Sequence, residues 1–225
     1  MFKLFNVVPE DLLIDSKSSI NTDIMNFLSI DCSTEIFSLF IKAENKTFSK
    51  LLQSDKSKID LLMKQIIDLF KENNLSFNDI SEILVNQGPG NFSGLRGSLA
   101  IAKGISLSKN LKLFGYDTFI WSCSNFLNKQ DSIFSIIKFR NKYFVKKFDK
   151  NLISSSEIKQ ILEDEILTKY DNKFKVILQR EKKYFDEKIL KLNNLSIVDL
   201  DHNDLEFLKL KGLLNEYLIK PLYLS

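Results

Sequence analysis

The chain has 225 residues, 44% of them hydrophobic and 27% charged, proportions that support a packed core and exclude wholesale disorder. Its 32 Lys+Arg against 29 Asp+Glu leave a net charge of +3, too small a surplus to bind a nucleic acid by electrostatics alone. One histidine (His202) and two distant cysteines (Cys32 and Cys123) rule against a two-histidine or cysteine zinc site, a disulfide framework and triad chemistry. His202 sits in the polar stretch Leu200-Asp201-His202-Asn203-Asp204 and reads as a solvated surface residue. No apolar run approaches the roughly 20 residues of a spanning helix, and Met1-Phe2-Lys3-Leu4-Phe5 lacks the apolar core of a signal peptide. A reducing, cytoplasmic setting with no membrane contact is the expectation.

Residues 1–24 have weak periodicity and read as a disordered N-terminal extension, with Met25 as an alternative start. Patterned sequence begins there. Asn26-Phe27-Leu28-Ser29-Ile30-Asp31 is a short apolar run ending in an acid, the pattern of a buried strand. Ile36 to Ile41 predicts a second strand and Thr47 to Leu52 a third, so the opening unit is a hairpin with Asp31, Ser33 and Thr34 at its tip. From Lys56 to Asn73 the period becomes helical, capped by Ser54 and Asp55, with Ile59, Leu62, Met63, Ile66, Leu69 and Phe70 at helix spacings. Leu61 and Ile67 widen that apolar face, which points either to burial on two sides or to a subunit interface.

Glu82 to Asn86 predicts a further buried strand. It runs into Gln87-Gly88-Pro89-Gly90-Asn91-Phe92-Ser93-Gly94-Leu95-Arg96-Gly97, then a helix past Ala100 and Gly104. Strand, glycine-rich turn and helix can cradle a phosphate on backbone N–H groups at a helix N-terminus. The same glycines also serve as a turn and as small residues for close packing, and both readings stand. The segment is neither a Walker A loop nor a G-x-G-x-x-G fingerprint. Gly97, Ala100 and Gly104 share one helix face that admits another helix at close range. Asp31 with Ser33 and Thr34 fits either a magnesium or phosphate ligand set or ordinary turn chemistry.

In the second half, Ser132 to Phe139 and Tyr143 to Phe148 predict a hairpin. Ser154-Ser155-Ser156-Glu157 predicts a capping box before a helix through Leu167. Strands at Phe174 to Leu178 and Leu195 to Leu200 flank a charged helix from Glu181 to Lys191, and Leu205 to Leu218 predicts a last amphipathic helix.

Ile30-Asp31-Cys32-Ser33-Thr34-Glu35 resembles the I-D-T-S-T opening of the TsaB (YeaZ) family. Gly88-Pro89-Gly90-Asn91-Phe92-Ser93-Gly94-Leu95-Arg96 resembles its G-P-G-S-F-T-G-L-R motif, and Lys220-Pro221-Leu222-Tyr223-Leu224 its P-x-Y-L ending. The match is specific from Met25 to about Trp121. Beyond it, the family's D-A-R-R-G-E-V-Y is echoed only by Lys138 to Val145, without the acids, and Lys56 stands where the family usually has histidine.

The resemblance implies an α/β, actin-like (ASKHA, ribonuclease-H-like) fold of two lobes, the second shortened. The first lobe would comprise residues 25–118 plus about 204–225, and the second 119–203. It also implies a noncatalytic scaffold subunit in the making of N6-threonylcarbamoyladenosine (t6A) on tRNA. Such a subunit binds and activates a TsaD-type catalytic subunit, with a TsaE-type ATPase joining and tRNA reached only through the complex. ATP and a metal would belong to the partners, with no catalytic residue, metal or cofactor on this chain. Ile59, Leu62, Met63, Ile66, Phe70, Gly97, Ala100 and Gly104 would form the interface with TsaD or a second copy, with Leu62, Met63 and Ile66 as exposed anchors. Asp31, Ser33, Thr34, Gly88 and Gly90 are the phosphate or nucleotide candidates. The competing function is an independent ASKHA-type, nucleotide-dependent kinase or ATP-binding protein; a peptidase has no chemical support in a chain with one histidine.

Overall fold

The computed structural model describes residues 25–53, 58–150, 156–217 and 219–224. The proposed extension at 1–24, the Ser54–Asp55 cap and Ser154–Ser155 lie outside these residues. The first lobe opens with β1 (Phe27–Asp31), β2 (Ile36–Ala43) and β3 (Lys46–Gln53), a meander whose β2–β3 turn places Glu44 and Asn45 at φ 50° and 63°. Helix α1 (Lys58–Glu72) leads to β4 (Glu82–Asn86), then α2 (Phe92–Lys109) and β5 (Lys112–Tyr116). Strands β4 and β5 add parallel to β1, so the sheet order is β3-β2-β1-β4-β5. Every residue of β1 and β4 is buried, as expected of central strands covered on both faces.

The second lobe repeats this path. After α3 (Thr118–Cys123), β6 (Ser132–Phe139) and β7 (Lys142–Asp149) form a hairpin about Arg140 and Asn141, and β8 (Lys159–Ile161) extends it. Helix α4 (Glu163–Thr168), β9 (Lys175–Leu178), α5 (Glu187–Leu190), β10 (Leu195–Val198) and α6 (Asp204–Leu210) follow. Its sheet order, β10-β9-β6-β7-β8, is the first lobe's order with each strand replaced by its counterpart five positions later. The α/β, two-lobe architecture is therefore as expected.

Three apolar clusters form the core, one within each lobe and one between them. Leu62, Ile66, Leu69 and Phe70 of α1 and Leu99, Ala102 and Ile105 of α2 cover one face of the first sheet. Ile166 and Ile189, on α4 and α5, cover the corresponding face of the second. Between the sheets lies a shared cluster in which Phe27, Phe40, Phe114 and Tyr116 meet Phe119, Ile120 and Trp121 of α3, Phe144 and Val176, and Leu205 and Leu208 of α6.

Several elements differ from the sequence reading. Strand β5 and helix α3 were not anticipated; β5 alternates little, and α3 is only six residues long and buried throughout. No helix begins at the predicted capping box: Ser156 ties to β7, its N–H donating to the Lys147 carbonyl (3.0 Å) and its Oγ accepting from the Lys147 N–H (2.9 Å). The chain then forms β8, and α4 starts only at Glu163, where the Glu165 carboxylate accepts the Leu162 N–H. The predicted helix Glu181–Lys191 is broken into a 3₁₀ turn (Gln179–Tyr184) and α5, because extended, buried Phe185 packs on Tyr143 and Asp186 caps a new start. The last helix stops at Leu210, eight residues before the expected end, and Gly212 follows at φ +67°.

Candidate functional site

Strands β1 and β4 are parallel neighbours, so their C-terminal ends deliver Asp31 and Asn86 side by side. Asp31 Oδ1 accepts from the Ser33 N–H (2.9 Å) and from Asn86 Nδ2 (3.0 Å). Asn86 also reaches the Thr118 hydroxyl (3.1 Å), and its Oδ1 accepts the Gly88 N–H (2.8 Å). The tip of the first hairpin and the glycine-rich turn are thus bound into one polar knot at the mouth of the interlobe cleft.

The glycines are explained by close approach. A Cβ on Gly90 would collide with the Ser33 carbonyl, and one on Gly94 with the Cys32 carbonyl. Gly88 is at φ +106° and joins Pro89 through a cis peptide bond. The amide of Asn91 donates to Ser33 O (2.7 Å), while Gly94 N–H donates to the Asn91 side chain that caps α2. The N–H groups of Ser33, Gly88, Asn91, Gly94 and Leu95 all have acceptors within the chain. A ligand held by these five amides would have to displace those bonds, and the glycines seat one turn on the other.

The cleft in front of this knot has a volume of about 740 Å³. One wall carries Asp31, Ser33, Thr34, Pro89, Gly90 and Asn91 from the first lobe. The opposite wall is supplied by the second lobe, with Arg180 Nη1 3.7 Å from Asp31 Oδ2. Asp31, Glu35, Glu181 and Asp199 face Lys138, Arg180 and Lys183, so acids and bases are nearly matched. Burial pushes the Glu181 carboxyl up to about 7, against the lowering effects of the Lys138 N–H bond and of Arg180. Among the described residues, no group of three His, Cys, Asp or Glu side chains is arranged to hold a metal.

His202 is not the solvated residue expected. It is buried at the cleft floor, with Nδ1 2.9 Å from Ser29 Oγ and Nε2 2.7 Å from Ser38 Oγ. Its ring stacks on Phe40 (5.1 Å between centroids) and tilts against Trp121, whose indole N–H donates to the Asp201 carbonyl (2.9 Å). Burial pulls its pKa down to about 4, against the raising influence of Asp31 and Asp201. Local polarity misled the reading: Ser29 and Ser38 are 173 and 164 residues away in sequence. Asn86 and Arg180 were likewise missed; Asn86 directly before the glycine turn was the one available signal.

The expected interface residues separate into two groups. Leu62 and Ile66 are fully buried and Phe70 nearly so, in the core between α1 and the sheet, so they are not exposed anchors. Met63 is half-buried, and the side chain of Ile59 is outside the described residues. On α2, Gly97 is half-buried while Ala100 and Gly104 are exposed, and no atom lies within 4 Å of a Cβ built on Gly104. Leu107, one turn further on, is 85% exposed.

The family model for TsaD, tRNA N6-adenosine threonylcarbamoyltransferase, matches residues 53–137. The tRNA threonylcarbamoyladenosine biosynthesis protein TsaB of Buchnera aphidicola subsp. Baizongia pistaciae is 34% identical over 84 residues, 37% of this chain and 38% of that protein. TsaB of Escherichia coli K12 is 26% identical over 94 residues, 42% of this chain and 41% of that protein. The matched part thus spans about two fifths of these relatives. In three dimensions the likeness is broader. YeaZ from Pseudomonas aeruginosa superposes with a TM-score of 0.65 over 89% of this chain and 100% of that one, at 16% identity, which shows the shared fold.

Proposed function

We propose that this member of the TsaB (YeaZ) family acts in tRNA t6A formation as a noncatalytic scaffold that binds and activates a TsaD-type catalytic subunit in the cytoplasm. The observation that carries the reading is the outer face of α2. Gly97, Ala100, Gly104 and Leu107 recur at three- and four-residue steps, so they lie in one row along the helix. Three of the four are small, and the row is exposed from Ala100 onward. Small side chains allow a partner helix to approach toward the short end of the usual 8–10 Å range. Leu107, 85% exposed at the end of the row, supplies an apolar anchor.

In this reading the partner carries the metal and the reaction, and a TsaE-type ATPase uses ATP within the same assembly. The tRNA is engaged by the complex as a whole, in keeping with a net charge of only +3. A second copy of the chain would use the same α2 face when the partner is absent. The competing kinase reading has less support, because the Gly88, Asn91 and Gly94 amides are already bonded within the chain and the acids and bases lining the cleft are nearly matched.

A drop-out reconstitution tests the proposal. Cognate TsaD, TsaE, the donor-making enzyme, ATP, threonine, bicarbonate and unmodified tRNA are combined with and without this chain, and the modified nucleoside is quantified by mass spectrometry. Product only in its presence is expected; equal product without it rejects the scaffold reading.

A further inference from the structure

We propose that the backbone carbonyl oxygens of Tyr170, Asp171, Lys173 and Asn193 form a monovalent-cation site that the chain fills with its own tethered ammonium, Lys175 Nζ. Lys175 is the first residue of β9 and is fully buried. Its Nζ lies 2.8 Å from Tyr170 O, 2.7 Å from Asp171 O, 2.9 Å from Lys173 O and 3.1 Å from Asn193 O. An ammonium has three protons, so four oxygens surround it more as a coordination shell than as three separate hydrogen bonds. Neutral carbonyls replacing a hydration shell are the means by which proteins hold potassium-sized ions.

The position of the cage explains what a cation does there. Three oxygens come from the turn after α4 and the fourth from the turn before β10, two segments that must meet for β9 and β10 to pair. The Lys175 N–H fixes the same junction by donating to Asn194 O (2.8 Å). The two strands run parallel from here and reach the cleft at their far ends, where Arg180 and Asp199 follow. A free ion would dissociate; a tether keeps the charge at high effective concentration and removes dependence on salt composition. Burial lowers the ammonium pKa while the Asp171 carboxylate raises it, so the cage does not rest on backbone dipoles alone.

The test cuts the tether. Lys175→Ala in the full chain removes Cγ, Cδ, Cε and Nζ, the atoms of n-propylammonium. In choline chloride the variant should melt roughly 5–12 °C below the wild type. Replacing choline with n-propylammonium at equal ionic strength should recover about half of that loss, and potassium a smaller part, with wild type nearly unmoved. Lys175→Met, which fills the channel but leaves the carbonyls unpaired, should lose stability without recovery. Equal melting of Lys175→Ala in the three salts, or no loss at all, overturns the proposal. Should the alanine variant not fold, acetylation of the wild type decides: protection of Lys175 by about 100-fold over exposed Lys173 is expected, and equal labelling overturns it.

Discussion

The two lobes follow one topology yet are built with unequal helices. Between its third and fourth strands the first lobe has the 15-residue α1, and the second has the 6-residue α4. Between the fourth and fifth strands the first has the 18-residue α2, and the second a six-residue 3₁₀ turn followed by the four-residue α5. Sheet pairing fixes topology with few residues, whereas long helices create surface. Only the first lobe has enough helix both to bury one face and to present another. The difference teaches that the second lobe contributes mainly the opposite wall of the cleft, while the first lobe carries the long, partly exposed helix face proposed above as an interface.

The comparison breaks most completely on α2. Ala100→Glu with Gly104→Arg should abolish co-purification with the TsaD-type subunit while leaving the melting temperature within about 2 °C, because both positions face solvent. Retained binding would move the interface elsewhere. Core truncations sharpen the contrast. Leu62→Ala should cost about 3–4 kcal/mol in urea unfolding, and Ile166→Ala about 2 kcal/mol, because the short α4 can relax into the gap. A reversed order would show that the second lobe packs as tightly as the first. Gly90→Ala should cost about 2–3 kcal/mol, since its methyl meets backbone that cannot step aside, and a thermal shift of roughly 4–10 °C would register it.

The smallest effects are the most diagnostic of the cleft, because a group at its floor and one on its second-lobe wall titrate in opposite senses. His202 has a folded pKa of about 4, below the ordinary 6.5, so its contribution is complete above pH 6.5 and is lost as the pH falls toward 4. Glu181, raised to about 7, contributes fully below about 4.5 and loses that contribution as the pH rises through 7. Between pH 5 and 7.5 each amounts to about 2 kcal/mol, and in the wild type they nearly cancel. His202→Gln should therefore lose stability relative to wild type as the pH is raised across this window, and Glu181→Gln should gain it. Parallel pH profiles for the three proteins would contradict both assignments.

Legibility followed the range of the interactions. The β1–β2 hairpin, β4 and the glycine turn were visible because local pattern and turn chemistry determine them. Asp31 accepts the Ser33 N–H, Gly90 packs on the Ser33 carbonyl, and Gly88 joins them through Asn86 at the end of β4. The burial of Leu62 and Ile66 was not legible, since an apolar helix stripe looks the same facing a sheet or a partner. His202 and Arg180 escaped for another reason. Each acquires its environment from the other lobe, and no window of sequence contains both sides. In the second lobe short helices carry too few turns to show a period, and one buried aromatic, Phe185, is enough to divide a charged stretch in two.

The end of the chain closes on the first lobe. Asn215 exchanges both backbone hydrogen bonds with Gly115 on β5, Leu222 N–H donates to Gln87 O, and Tyr223 stacks on Phe92 at 5.2 Å. During synthesis the β5 edge must therefore wait for a segment made about 100 residues later, and the glycine turn for one made about 130 residues later, after the whole second lobe. The lobe translated first is completed last, and a chain cut just after α6 would have its second lobe whole and its first with an open edge.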